Sequence, residues 1–218
     1  GGALVAALLL CGPEALAKVK AYMKSGKIFR GIGLADVWDP ARLIPKAVQE
    51  SGAMPDDAYA KLSGRLEVQC TRGGMMFGSQ PVKYSSFSSN EELLAVLQAS
   101  SSFAYGGVDI GGVPHWDGGI TEPLPVHAEL PTIAVAPVSA REVQICPEPG
   151  RWVLPCAVGA RGWRLGAQAA VAAWDCSFMF SPSRMMKYWA AGRADAQAFL
   201  QRSGYSEPAD LPADNNCM

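Results

Sequence analysis

Apolar positions follow three different periods along the chain. From Ala3 to Cys11 they are continuous, which predicts a buried helix that is apolar on nearly all sides. From Glu14 to Ser25 they recur as one stripe (Leu16, Val19, Tyr22, Met23), which predicts an amphipathic helix opened by Pro13. Asp39-Pro40 predicts a third helix, with Asp39 as N-cap, running to about Glu50 and ended by Gly52. The period then changes to two. In Arg65–Thr71, Leu66, Val68 and Cys70 alternate with Glu67, Gln69 and Thr71, the pattern of a half-buried strand. Val82–Phe87 is its expected partner across a glycine-containing loop.

Helical periods return at Glu91–Ser100, behind the capping run Ser89-Asn90-Glu91-Glu92, and at Pro182 to about Arg202, stopped by Gly204. Between them, Thr132–Val138 reads as a short apolar strand closed by Pro137. Helices and strands therefore interleave, which predicts a layered α/β domain. Pro147–Ser177, rich in Gly, Ala, Arg and Trp, reads as a peripheral segment. Residues 205–218 are rich in Pro, Asp and Asn and are expected to fray.

Composition narrows the function classes. The 218 residues are 49% hydrophobic and 18% charged, as in a globular chain with a sizeable core. The net charge of −1 has no long run of either sign behind it, so a basic nucleic-acid-binding face is not expected. Six cysteines (Cys11, Cys70, Cys146, Cys156, Cys176, Cys217) form no C-x-x-C pair, and the two histidines, His115 and His127, do not cluster with them. No zinc site or other cofactor is expected, and the thiols read as reduced, in a cytosolic setting. The opening run lacks the basic leader of a signal peptide, and its uncharged stretch to Pro13 falls short of the roughly 20 apolar residues that span a bilayer.

Two stretches carry candidate chemistry. In HWDGGITEPLPV (His115–Val126), Asp117 stands at the end of a short predicted strand, before Gly118 and Gly119. Two glycines permit a sharp turn with positive φ. Asp117 is then either an ordinary turn residue, since Asp-Gly is a common turn signal, or a carboxylate presented into a cleft. The second stretch is GGALVAALLL. A glycine pair feeding an apolar helix has the make-up of the stretch directly behind the nucleophile in a strand-to-helix elbow, where the helix N-terminus favours developing negative charge. His115 and His127 bracket the Asp and leave a Ser-His-Asp triad as a further option. Ser100, Ser101 and Ser102 come after a helix and have no elbow around them.

Taken in order, these stretches resemble the patatin-like phospholipase family, whose elbow serine is followed by a small residue, Gly, Ala and an apolar helix, with Asp-Gly-Gly or Asp-Gly-Ala far downstream. MPDDAYAKLSGRLEVQCT, VKYSSFSSNEELLAVLQASSSF and TIAVAPVSAREVQICP look like the adipose triglyceride lipase and adiponutrin branch, and RMMKYWAAGRADAQAFLQRSG resembles the helix that closes its domain. The resemblance implies an α/β fold with a central, mostly parallel sheet flanked by helices, filling residues 1–204 and truncated at its N-terminus. It implies a serine–aspartate dyad in which Asp117 is the base, supported by Gly1, Gly2, Gly118 and Gly119. The serine would stand immediately before Gly1, so this stretch by itself is expected to be inactive. The implied substrate is an acyl lipid, met at a lipid droplet or membrane surface by a cytoplasmic, peripheral protein. A non-catalytic lipid-surface or regulatory protein of the same fold is the alternative.

Other residues read more simply. Cys11 and Cys70 are expected in the core. Met185, Met186, Tyr188 and Trp189 are expected to pack rather than bind. Trp152, Trp163 and Trp174 beside Arg151, Arg161 and Arg164 suit either a peripheral packing element or a lipid–water interface. Cys146 matches a family position without suggesting any chemistry.

Overall fold

The computed structural model describes residues 2–30, 33, 36, 40–73, 78–102, 107–122, 131–135, 143–145, 157–158, 163–164 and 182–204. The chain divides into two units, Gly1–Leu130 with Ala173–Met186, and Pro131–Ala172 with Lys187–Met218.

The first unit opens with α1 (Gly2–Cys11) and α2 (Pro13–Lys24), joined at Gly12, whose φ of 104° lets the chain turn directly onto Pro13. A 3-10 turn (Pro40–Arg42) leads into α3 (Leu43–Ser51), which Gly52 ends in the left-handed region at φ 59°. The short α4 (Ala58–Leu62) precedes the strands β1 (Val68–Arg72) and β2 (Gln80–Tyr84). Next come α5 (Asn90–Ala99), β3 (Val108–Ile110), β4 (Val113–Asp117) and a 3-10 turn, Gly118–Ile120. The start of α5 is capped as its sequence predicts. Ser89 Oγ accepts from the Glu92 N–H at 3.2 Å, and the Glu92 carboxylate accepts from the Ser88 N–H at 2.7 Å. Hydrogen bonds from the Ser88 hydroxyl and N–H hold this carboxyl below its ordinary range.

The sheet order is β2-β1-β4-β3, and every pairing in it is antiparallel. This corrects the expectation of a mostly parallel central sheet. The reason lies in the connections. β3 and β4 are joined by two residues, Gly111 and Gly112, both at positive φ (63° and 78°), a hairpin that can only return the chain antiparallel. Only seven residues separate β1 from β2, fewer than the dozen or so that a parallel crossover needs. Among the described residues the one parallel pairing is an isolated bridge, Val135 to Ile145, in the second unit.

The sheet, α1, α4 and α5 share one core, while α2 and α3 pack in two smaller clusters that Leu4 also touches. Val68 and Cys70 of β1, Leu62 of α4, and Leu93, Val96 and Leu97 of α5 are fully buried, and Ala3, Leu4, Ala6 and Leu10 of α1 pack against them. α1 is apolar all round but not buried all round: Ala7 and Leu8 face inward, whereas Val5 and Leu9 are 54% and 58% exposed. The predicted alternation along β1 is also corrected. Gln69 and Thr71 are buried along with Val68 and Cys70, because β1 is an inner strand and the turn after β4 covers its second face.

In the second unit, β5 (Ala157–Val158) pairs antiparallel with β6 (Trp163–Arg164). Gln144 Oε1 accepts from the Ala134 N–H at 2.7 Å beside the Val135 bridge. The helix α6 (Pro182–Arg202), which is counted with the first unit as far as Met186 and with the second from Lys187, ends before Gly204, which is left-handed at φ 73°. Met186, Tyr188 and Trp189 are half-buried on it. The cap at Asp39, the end of the Thr132–Val138 strand, most of Pro147–Ser177, and residues 205–218 lie outside the described residues. No helix among the described residues is long and apolar enough to cross a membrane.

Candidate active site

Asp117 is the last residue of β4, directly across from Cys70 of β1. Three contacts fix it. Its N–H donates to the Ser102 carbonyl at 2.8 Å, beyond the end of α5. Its own carbonyl accepts from Thr71 Oγ1 at 2.8 Å. Its carboxylate Oδ1 accepts from the Gly119 N–H at 2.7 Å, and among the described residues Oδ2 has no hydrogen-bond partner. Burial raises the carboxyl above its ordinary range, while the Gly119 amide pulls the other way. Asp117 is therefore a half-buried carboxylate with one oxygen committed to the backbone and a basicity above that of a solvated aspartate.

The glycines after it do not serve as the sequence suggests. Neither Gly118 nor Gly119 has a positive φ; they form an ordinary 3-10 turn. Gly118 is needed for room instead. A Cβ there would lie 2.5 Å from the Gln69 carbonyl oxygen, and one at Gly119 would lie 3.0 Å from Asp117 Oδ1. Gly2, the first residue of α1, is exposed and a Cβ there would meet nothing within 4 Å. Gly1 lies outside the described residues.

Nearby groups can be sorted by their bonds. The Cys70 thiol donates to the Val96 carbonyl at 3.6 Å, and burial, with the charge of Asp117, pushes it up to about 12. A thiol so far from ionisation is no nucleophile at neutral pH. Cys11 is half-buried against the same core. His115 is fully buried, with Nδ1 2.8 Å from the Val113 carbonyl and Nε2 2.7 Å from the Tyr84 hydroxyl. A carbonyl only accepts, so Nδ1 carries a proton, and in the neutral ring Nε2 accepts from Tyr84. Neither nitrogen bonds Asp117, which removes His115 as the middle member of a triad. His127 and Cys146 lie outside the described residues. Ser100 and Ser101 spend their hydroxyls on the Leu97 carbonyl, and Ser102 is fully buried. Among the described residues no three His, Cys, Asp or Glu side chains could hold a metal ion together.

The far face of β1 carries partners that the sequence did not single out. Thr71 Oγ1 lies 2.9 Å from Thr121 Oγ1, and Gln69 Nε2 donates to Glu122 at 2.8 Å. Two buried polar side-chain atoms, Gln69 Oε1 and Trp116 Nε1, have no partner among the described residues. The one available signal was a Thr and a Gln on the polar register of a strand, which reads as a solvent face.

Comparison with known proteins gives a partial likeness. No family model matches the chain, and no solved structure does. Over 99 residues, 44% of the chain, it is 35% identical to "Patatin-like phospholipase domain-containing protein 2" of Rattus norvegicus and to that of Bos taurus, and 34% identical to that of Homo sapiens. The aligned stretch spans about a fifth of the length of these relatives. This likeness, partial as it is, supports the patatin-like relationship suggested by the motifs.

Proposed function

We propose that this chain is part of a patatin-like lipid acyl hydrolase of the triacylglycerol lipase or phospholipase type, and that Asp117 is the base of its serine–aspartate dyad. The observation that carries the reading is the state of that carboxylate. It is half-buried at a strand end, raised in basicity by burial, tied through Oδ1 to the Gly119 amide and open at Oδ2. A base works best when its pKa approaches the working pH, and a serine hydroxyl within hydrogen-bond reach of Oδ2 is what this oxygen is fitted to deprotonate.

The nucleophile of this reading is a serine immediately before Gly1. One observation supports its closeness to Asp117: Ala3 and Leu4 of the first turn of α1 pack against the core that contains Cys70, the register partner of Asp117. Serine Oγ attacks the ester carbonyl carbon as Asp117 Oδ2 takes its proton. The tetrahedral intermediate collapses with loss of the alcohol, which receives that proton. Water, deprotonated by the same carboxylate, then cleaves the acyl-enzyme to the fatty acid and free serine. The acyl lipid is met at a lipid droplet or membrane surface.

The test is ester hydrolysis by a protein that includes the residues ahead of Gly1. Asp117→Asn keeps the acceptor for Gly119 but not the base, and the expected loss in kcat is about 10²- to 10⁴-fold. Equal rates for the two proteins would remove Asp117 from the mechanism.

A further inference from the structure

The backbone of Asp117 is held from the side of β1 opposite its carboxylate. Cys70 and Asp117 are register partners, so their side chains share one face of the sheet, and the side chain of Thr71 lies on the other. From there Thr71 Oγ1 reaches the Asp117 carbonyl, and Thr71 is itself completely buried. A hydroxyl has one proton, and the carbonyl can only accept, so the Thr71 proton points to Asp117. The 2.9 Å contact between the two threonines must then be donated by Thr121, whose other acceptor, the Gly118 carbonyl, is farther away at 3.5 Å. The result is a one-way chain, Thr121 to Thr71 to the Asp117 carbonyl, that starts and ends on the same turn. That turn is also seated on β1 at Gly118, which has no room for a Cβ against Gln69.

We infer that the Thr121–Thr71 hydroxyl pair is the positioning device of the site, fixing the Asp117–Gly118 peptide so that Oδ1 stays on the Gly119 amide and Oδ2 is left as the basic oxygen. The role in catalysis rests on the reading of Asp117 as base; the geometric claim stands without it. Neither threonine touches the reacting atoms. Thr71→Val removes the hydroxyl and keeps the shape, whereas Thr71→Ser keeps the hydroxyl.

NMR of the full chain separates positioning from mere support. In Thr71→Val the Gly119 amide proton moves upfield and exchanges about tenfold faster, the equivalent of one lost hydrogen bond, while the Leu97 amide in α5 keeps its rate. The Asp117 carboxyl carbon titrates higher, because the Gly119 N–H that lowers its pKa is loosened. Thr71→Ser restores both signals to within about twofold. Thr121→Val, at a half-exposed position, gives a smaller change in the same direction and decides the matter if Thr71→Val does not fold. An unmoved Gly119 amide in either valine variant, or a serine variant as damaged as the valine one, overturns the inference. In the longer protein, Thr71→Val lowers kcat with KM unchanged. If Asp117→Asn abolishes hydrolysis and Thr71→Val leaves it intact, the positioning role fails and the base survives; if Asp117→Asn has no effect, it is the base that fails.

Discussion

Two glycine pairs flank β4, each preceded by an aspartate. Gly111 and Gly112 lie before the strand, with Asp109 two residues upstream; Gly118 and Gly119 lie after it, directly behind Asp117. In both, the aspartate Oδ1 accepts a backbone N–H, from Gly112 at 3.0 Å and from Gly119 at 2.7 Å. The glycines nevertheless serve opposite needs. The first pair is left-handed, with open space where side chains would go. The second has ordinary backbone angles and no space, because Gly118 rests on the β1 backbone. An Asp-Gly turn in water is chosen for its torsions; one pressed against a sheet is chosen for its missing atoms. Of the two, only the second holds a carboxylate away from solvent, where its basicity can be raised for chemistry.

The contrast can be broken by substitution. Gly118→Ala is expected to cost about 3 kcal/mol, the upper end for overpacking, since the clashing neighbour is backbone and cannot rotate away. A fall in the denaturation midpoint with an unchanged m-value would show it. Gly112→Ala meets no neighbour and costs only the left-handed conformation, about 1 kcal/mol in the same measurement. If the two costs were equal, the distinction between torsion and space would be lost.

The smallest effect has the opposite sign. The Asp117 carboxyl is raised in the folded state, so the folded chain binds its proton more tightly than the unfolded one. Its contribution to stability is fully present below the unfolded value of 3.8 and is lost as pH rises through the folded value. Asp117→Asn should therefore melt at a higher temperature than the parent at neutral pH and converge with it below pH 3.8. A variant that melts lower at pH 7 would contradict the burial cost assigned to this group.

Local signals in the sequence were sound where the cause was local. Ser89 caps α5, Gly52 ends α3, and Asp117 ends a strand, since caps and strand ends depend on a few neighbouring residues. The direction of the sheet was not legible, because apolar period reports burial and not pairing. The resemblance pointed to parallel strands, whereas the Gly111-Gly112 hairpin closes an antiparallel pair. Thr71 escaped for a related reason. On a strand, a polar residue facing water and one facing another turn look alike until the turn is in place. Gly118 stands in a pair that permits a positive φ, but its own backbone is ordinary and its need is for space against Gln69.

Cys70 gives the buried aspartate a neighbour with a use of its own. Its sulfur is sealed on the face shared with Asp117, and its ionisation is pushed up to about 12 by burial and that charge. An alkylating reagent can reach it only when β1 and β4 part or the helices above them lift. The rate at which that one thiol is labelled is thus a clock for breathing of the sheet, already wound into the native sequence.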